Sequence, residues 1–100
     1  MTLAVYPATF DPIHYGHVAI ARRAAELFDE VIVAAYARPY KDLLFPVEER
    51  MALMRETFKA DARISVDSYD TLTVEYARAK GAKAIVRGLR VISDFELEFH

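Results

Sequence analysis

Four short apolar runs, each parted from the next by a segment long enough to hold a helix, constrain this chain more than any other feature. Leu3-Ala4-Val5-Tyr6, Val31-Ile32-Val33-Ala34-Ala35-Tyr36, Ile64-Ser65-Val66 and Ala84-Ile85-Val86 are built from β-prone residues. The apolar ones lack the alternation of a half-solvated strand and read as parallel strands covered on both faces. Between the first two runs, Ile20, Ala24, Leu27 and Phe28 recur at helical spacing while Arg22, Arg23 and Glu26 fall elsewhere, which predicts an amphipathic helix over about residues 17–28. Pro46 suits the first position of a second helix, and Glu48 and Glu49 complement its N-terminal partial charge. Met51, Leu53, Met54 and Phe58 form its apolar side, and it runs to about residue 59. A third helix, over about residues 72–80, closes at Gly81, which tolerates the left-handed conformation of a helix end. Ser93 with Glu96 three residues on is a capping-box pattern before Phe95, Leu97 and Phe99, and predicts a fourth. Strands alternating with helices give an α/β fold, a doubly wound Rossmann-like parallel sheet with helices on both faces.

Ligands of such sheets bind outside the carboxyl ends of the strands. Thr9 to His17, Arg38 to Lys41, Ser68 to Thr73 and Arg87 to Arg90 follow the four runs in turn, so the polar residues gather at one edge. Composition narrows what they can do there. The chain has no cysteine, which removes disulfides, thiolate metal sites and cysteine nucleophiles, and fits a reducing cytoplasmic compartment. Apolar residues make up 54% of it, yet no run approaches the ~20 needed to span a bilayer. The first residues lack the form of a secretory signal, so no membrane role is expected. A net charge of −2 with interspersed signs gives no broad footprint for nucleic acid, and any phosphate site must be local. No repeat, low-complexity tract or linker divides the chain, and residues 1–100 are expected to belong to one domain.

Thr9-Phe10-Asp11-Pro12-Ile13-His14-Tyr15-Gly16-His17 falls between a strand and a helix. Free backbone N–H groups and the helix dipole attract anions there, Gly16 permits close backbone approach, and two imidazoles add directional donors. Spacing alone leaves other uses open: His17 capping or packing under the helix, with His14 a loop residue. Zinc is disfavoured, because no cysteine completes a site and the remaining histidine is His100. After the fourth run, Arg87-Gly88-Leu89-Arg90 sets two guanidinium forks about a glycine, suited to phosphate but equally found on solvated loops.

The first motif resembles the T-F-D-P-x-H-x-G-H signature of the nucleotidyltransferases. The run Arg87-Gly88-Leu89-Arg90-Val91-Ile92-Ser93-Asp94-Phe95-Glu96-Leu97-Glu98 resembles the R-G-L-R-x-x-x-D-F-E-x-E segment of the phosphopantetheine adenylyltransferase family, and Phe45-Pro46-Val47-Glu48-Glu49-Arg50 resembles its F-x-x-E-E-R. The resemblance covers the chain from Tyr6 to Glu98. It implies transfer of AMP from ATP to 4′-phosphopantetheine, giving dephospho-coenzyme A and pyrophosphate, with Mg²⁺ as the phosphate-bound ion and a homohexamer as the assembly. By the same resemblance His17 serves the transition-state oxygens and Thr9 orients the attacking phosphate. Lys41 and Arg87 hold the phosphopantetheine phosphate, and Thr73 falls near the pantetheine arm. Arg90, with the backbone near Thr9 and Phe10, holds ATP phosphates, and His14, Gly88, Leu89 and Glu98 fall at nucleotide-binding positions. A cytidylyltransferase or a nicotinamide mononucleotide adenylyltransferase would share the first motif but not the run from Arg87 to Glu98. A non-catalytic nucleotide-binding module is the rival from another class. Ala8 departs from the family glycine, and its methyl is expected to crowd the site. Family members continue beyond this point with another strand, helices and an I-S-S-x-x-x-R-like segment, so the chain is expected to be the N-terminal part of the domain.

Overall fold

The computed structural model describes residues 2–38 and 43–88. In chain order these form β1 (Leu3–Ala8), α1 (Tyr15–Leu27), β2 (Glu30–Tyr36), α2 (Val47–Phe58), β3 (Ile64–Tyr69), α3 (Thr73–Ala79) and β4 (Ala84–Ile85). The strands make one parallel sheet in the order β3-β2-β1-β4. From β1 the chain steps outward to β2 and β3, then returns across the sheet to lay β4 on the other side of β1. The order therefore reverses between β1 and β4, where diverging connections leave a crevice at the carboxyl ends of an open α/β sheet.

Alternation along each strand decides which helices cover which face. Tyr6, Val31, Val33, Ala35 and Ile64 pack with Ala21 and Ala24 of α1 and Met51, Met54 and Phe58 of α2. Val5, Ala34 and Tyr69 point the other way and pack with Tyr76 and Ala77 of α3. The fold is thus the expected α/β sheet with helices on both faces. Tyr6, Tyr36 and Tyr69 are packing residues, Tyr36 meeting Tyr69 at 5.3 Å between ring centroids; Tyr40 lies outside the described residues.

The element ends differ from expectation in informative ways. α1 begins at Tyr15, two residues before His17, because His14 caps it. Pro46 is the N-cap of α2 and not its first helical residue. Gly81 takes the left-handed conformation, with φ 77°, that closes α3. β3 runs past Val66 to Tyr69, so Ser68 belongs to a strand and not to the following loop. On α1 the buried stripe is carried by Ala21 and Ala24, and Leu27 is 78% exposed; on α2 Leu53 is 43% exposed. The fourth helix expected from Ser93 and Glu96, with Phe95, Leu97 and Phe99, lies outside the described residues.

Candidate active site

The segment joining β1 to α1 is built on a left-handed residue. Phe10 has φ 53°, a conformation that costs a non-glycine residue energy and persists where its surroundings over-determine it. Its ring is buried, set edge-on against Tyr6 at 5.4 Å and against His17 at 4.7 Å between centroids. Whatever Phe10 offers a ligand is therefore its backbone; its side chain supports the His17 imidazole.

His14 and His17 are fixed by the start of α1. The His14 N–H donates to His17 Nδ1 at 3.1 Å, and the Gly16 N–H donates to His14 Nδ1 at 3.1 Å. The rings stack with centroids 3.7 Å apart and planes 26° apart. Gly16 has a steric reason different from the one expected: a Cβ there would stand 2.9 Å from His14 Cε1, so the close approach it permits is that of the His14 ring. Burial, with the neighbouring His14 adding to it, lowers the His17 pKa to about 4. At neutral pH the ring is uncharged. With Nδ1 accepting an amide hydrogen, its proton sits on Nε2, a donor form suited to a phosphate oxygen and opposite to the lone pair a zinc ligand presents there.

A cavity of about 400 Å³ opens where β1 and β4 end, lined by Tyr6 to Thr9, His14, Gly16, His17, Ile20, Arg87 and Gly88. Ala8 contributes to this wall and is also packed against the core. At Gly88 a Cβ would fall 2.5 Å from Ile20 Cδ1, so the glycine lets the chain leaving β4 lie against α1. An adjoining cavity of about 410 Å³ is lined by Thr9 to Pro12, His14, His17 and Leu44. Thr9, His14 and His17 line both, standing between the two spaces.

The residues expected from the first motif thus come together with Arg87 and Gly88. Thr73 does not join them: it begins α3 beyond the far strand β3, its hydroxyl bonded to Tyr69 Oη at 2.9 Å. Lys41, Leu89, Arg90 and Glu98 lie outside the described residues. Sequence reasoning gave no role to two residues that hold the site together. The Asp11 carboxylate accepts from the Leu44 and Phe45 N–H groups at 2.6 and 2.8 Å. Arg50, only 1% exposed, donates from Nη1 to the carbonyls of Thr9 and Tyr36 at 2.7 and 2.9 Å and from Nε to that of Phe45 at 3.2 Å. One signal was present: Arg50, Met54 and Phe58 stand at i, i+4 and i+8 on one helical stripe.

Comparison with known proteins bears on the family and the fold. The model of the family described as cytidylyltransferase-like matches residues 5–100. The chain is 56% identical over 99 residues to a phosphopantetheine adenylyltransferase of Roseiflexus sp. (strain RS-1), covering 99% of this chain and 62% of that protein. It is also 56% identical to a protein of the same name from Carboxydothermus hydrogenoformans, covering 99% of this chain and 61% of that one. The chain therefore spans about three fifths of the length of these relatives. Among solved structures, NadR in complex with NAD and AMP-PNP aligns with a TM-score of 0.65 at 24% identity, over 80% of this chain and 26% of that one. A lipopolysaccharide core biosynthesis protein from Thermoplasma volcanium GSS1 aligns with a TM-score of 0.69 at 20% identity, over 85% and 72% respectively. These two likenesses speak for the fold.

Proposed function

We propose that this chain, which belongs to the cytidylyltransferase-like family, carries the nucleotidyl-transfer site of a phosphopantetheine adenylyltransferase. The observation that carries the reading is the pair of cavities meeting at Thr9, His14 and His17 on the sheet's switch point. Transfer of an AMP group needs two anionic substrates on opposite sides of one phosphorus, and a donor beside that phosphorus. A terminal phosphate oxygen of 4′-phosphopantetheine attacks the α-phosphorus of ATP; the new P–O bond forms as the bond to the bridging α,β-oxygen breaks, and pyrophosphate leaves with that electron pair. The attacking group is already an anion at neutral pH, so no protein nucleophile or base is required. What the protein supplies is in-line positioning and charge stabilisation.

In this scheme the Nε2–H of His17 donates to the oxygens of the transferred phosphorus, and Thr9 orients the attacking phosphate. Arg87 with Lys41 holds the acceptor phosphate. Arg90 and the amide of Phe10 hold ATP phosphates; His14, Gly88, Leu89 and Glu98 complete the nucleotide side, and Thr73 meets the pantetheine arm. Mg²⁺, if bound, would supply neutralisation of charge on the phosphate oxygens. Both Asp11 oxygens are engaged by amides, so such an ion would be carried in by the nucleotide and would draw few ligands from the described lining. No helix among the described residues is long and apolar enough to cross a membrane. The family resemblance, and not that absence, is what supports a cytoplasmic homohexamer.

The test uses the full-length protein with ATP or CTP and, as acceptor, 4′-phosphopantetheine or nicotinamide mononucleotide, following pyrophosphate and the nucleotidylated product. The expected result is dephospho-coenzyme A from ATP and phosphopantetheine alone. Preferential use of CTP or of the mononucleotide overturns the assignment, and nucleotide binding without turnover marks a non-catalytic module.

A further inference from the structure

Arg50 is the largest fully buried side chain of the described protein, and it pairs with no carboxylate there. Its guanidinium is spent on three carbonyl oxygens from three segments: Thr9 after β1, Tyr36 at the end of β2, and Phe45 before α2. Nη2 is buried with no acceptor among the described residues. A buried cation with an unmet donor is a poor stabilising device, and an apolar residue of similar volume would fill the same stripe beside Met54 at less cost. Its use must lie in what it holds.

What it holds is the backbone beside the strained residue. Arg50 Nη1 grips the carbonyl of Thr9, and in a trans peptide the N–H on the same plane, that of Phe10, points the opposite way. None of the described hydrogen bonds engages that N–H. On the other side of Phe10, Asp11 is tied to Leu44 and Phe45, while Arg50 also binds the Phe45 carbonyl. Residues 9 and 11 are thereby clasped to the same support, with the left-handed Phe10 held between them.

We infer that Arg50 is a positioning residue for the nucleotidyl transfer: with Asp11 as its counterpart, it locks the Thr9–Phe10 peptide so that the Phe10 N–H faces an anionic ligand while the Thr9 carbonyl is held by the guanidinium. The inference rests on the functional reading above for the reaction, but the clasp itself concerns anion binding by this chain. It makes Arg50 act through Phe10 and Thr9, without touching substrate.

In the full-length protein, Arg50→Lys keeps the charge and loses the fork. We expect kcat to fall about tenfold or more and KM for ATP to rise less, about threefold, because loss of alignment is felt most in the transition state. Asp11→Asn should act in the same direction, and the two together should lose less than the product of the single losses. Thermal melting of each variant, with assays run well below its midpoint, separates this from unfolding. An Arg50→Lys protein that folds and keeps kcat within about twofold of the parent overturns the clasp, as do multiplicative losses in the double variant. If Arg50→Lys fails to fold, Asp11→Asn decides alone by the same criterion. If the parent itself does not turn over ATP with phosphopantetheine, the functional reading falls and the clasp is judged by titration with inorganic tripolyphosphate. Weakening by about threefold or more in the variant sustains it, and unchanged affinity overturns it.

Discussion

On the proposed function, His17 serves a helix and a reaction at once. Its Nδ1 closes the cap of α1 and its Nε2–H is left to face the cavity, so a single ring orientation satisfies both. Removing the ring in His17→Ala takes away a donor aimed at transition-state charge, and kcat should fall on the order of 10²–10³ while ATP binding changes less. Steady-state kinetics beside calorimetric ATP titration check this; near-normal turnover would leave His17 a cap alone. The lowered pKa makes a second expectation. A histidine held near 4 when folded and 6.5 when unfolded binds fewer protons in the native state between those values, so stability contributed by the neutral ring is present above 6.5 and lost as pH falls toward 4. Denaturant midpoints across that range should decline on the acid side in the parent and decline less in His17→Ala. Much of this site was legible, because Thr9 to His17 keep a fixed order between a strand and a helix. Arg50 and Asp11 were not assigned roles, because a charged residue is ordinarily solvated and the carbonyls and amides that bind these two come from segments adjacent only after folding.

At the scale of elements, strand existence was plain wherever apolar residues run together, and obscure where they do not. β3 extends through Asp67 because it lies at the edge of the described sheet and its α3-facing side accommodates polar partners. There Asp67 accepts from the Tyr76 hydroxyl and faces Lys80 Nζ at 3.5 Å, while Tyr76 stacks on Tyr69 at 4.7 Å. Burial pushes the Asp67 carboxyl up, but the Tyr76 hydroxyl, the Ser68 amide and Lys80 together hold it below its usual value. Tyr76→Phe preserves the stack and removes one of those donors, which should cost about 1–2 kcal/mol at neutral pH. A carboxylate with a lowered folded pKa stabilises above its unfolded value of 3.8 and loses that contribution as pH falls, so the gap between variant and parent should narrow in acid. Urea unfolding at pH 7 and near pH 3 measures it; an equal gap at both would remove Asp67 from the account. The exposure of Leu27 has a similar lesson. Helical spacing set the period of α1 correctly, but the phase of its stripe depends on where the helix sits over Ala35 and Tyr6, which spacing alone does not contain.

For the molecule as a whole, the return of the chain from β3 across the sheet to β4 brings Arg87 and Gly88 to the same crevice as Thr9 and His17, although about seventy residues separate the two motifs. The crevice comprises two spaces and not one, and this has a kinetic consequence. If the nucleotide occupies one cavity and the acceptor the other, both are bound when the phosphorus moves, and the shared residues Thr9, His14 and His17 stand at the point of transfer. A covalent route through the protein would instead need a nucleophile at that point. The chain has no cysteine, and Nδ1 of both His14 and His17 accepts an amide hydrogen, so each ring carries its proton on Nε2 and offers neither a nucleophilic lone pair to the α-phosphorus nor a base to the Thr9 hydroxyl. Initial rates of the full-length protein, measured while ATP is varied at several fixed concentrations of phosphopantetheine, should therefore give intersecting reciprocal plots, the pattern of a ternary complex. Pyrophosphate should not exchange into ATP when the acceptor is left out. Parallel plots with acceptor-independent exchange would mean that AMP rests on the protein between two half-reactions, and the division of the crevice into donor and acceptor spaces would fall with that result.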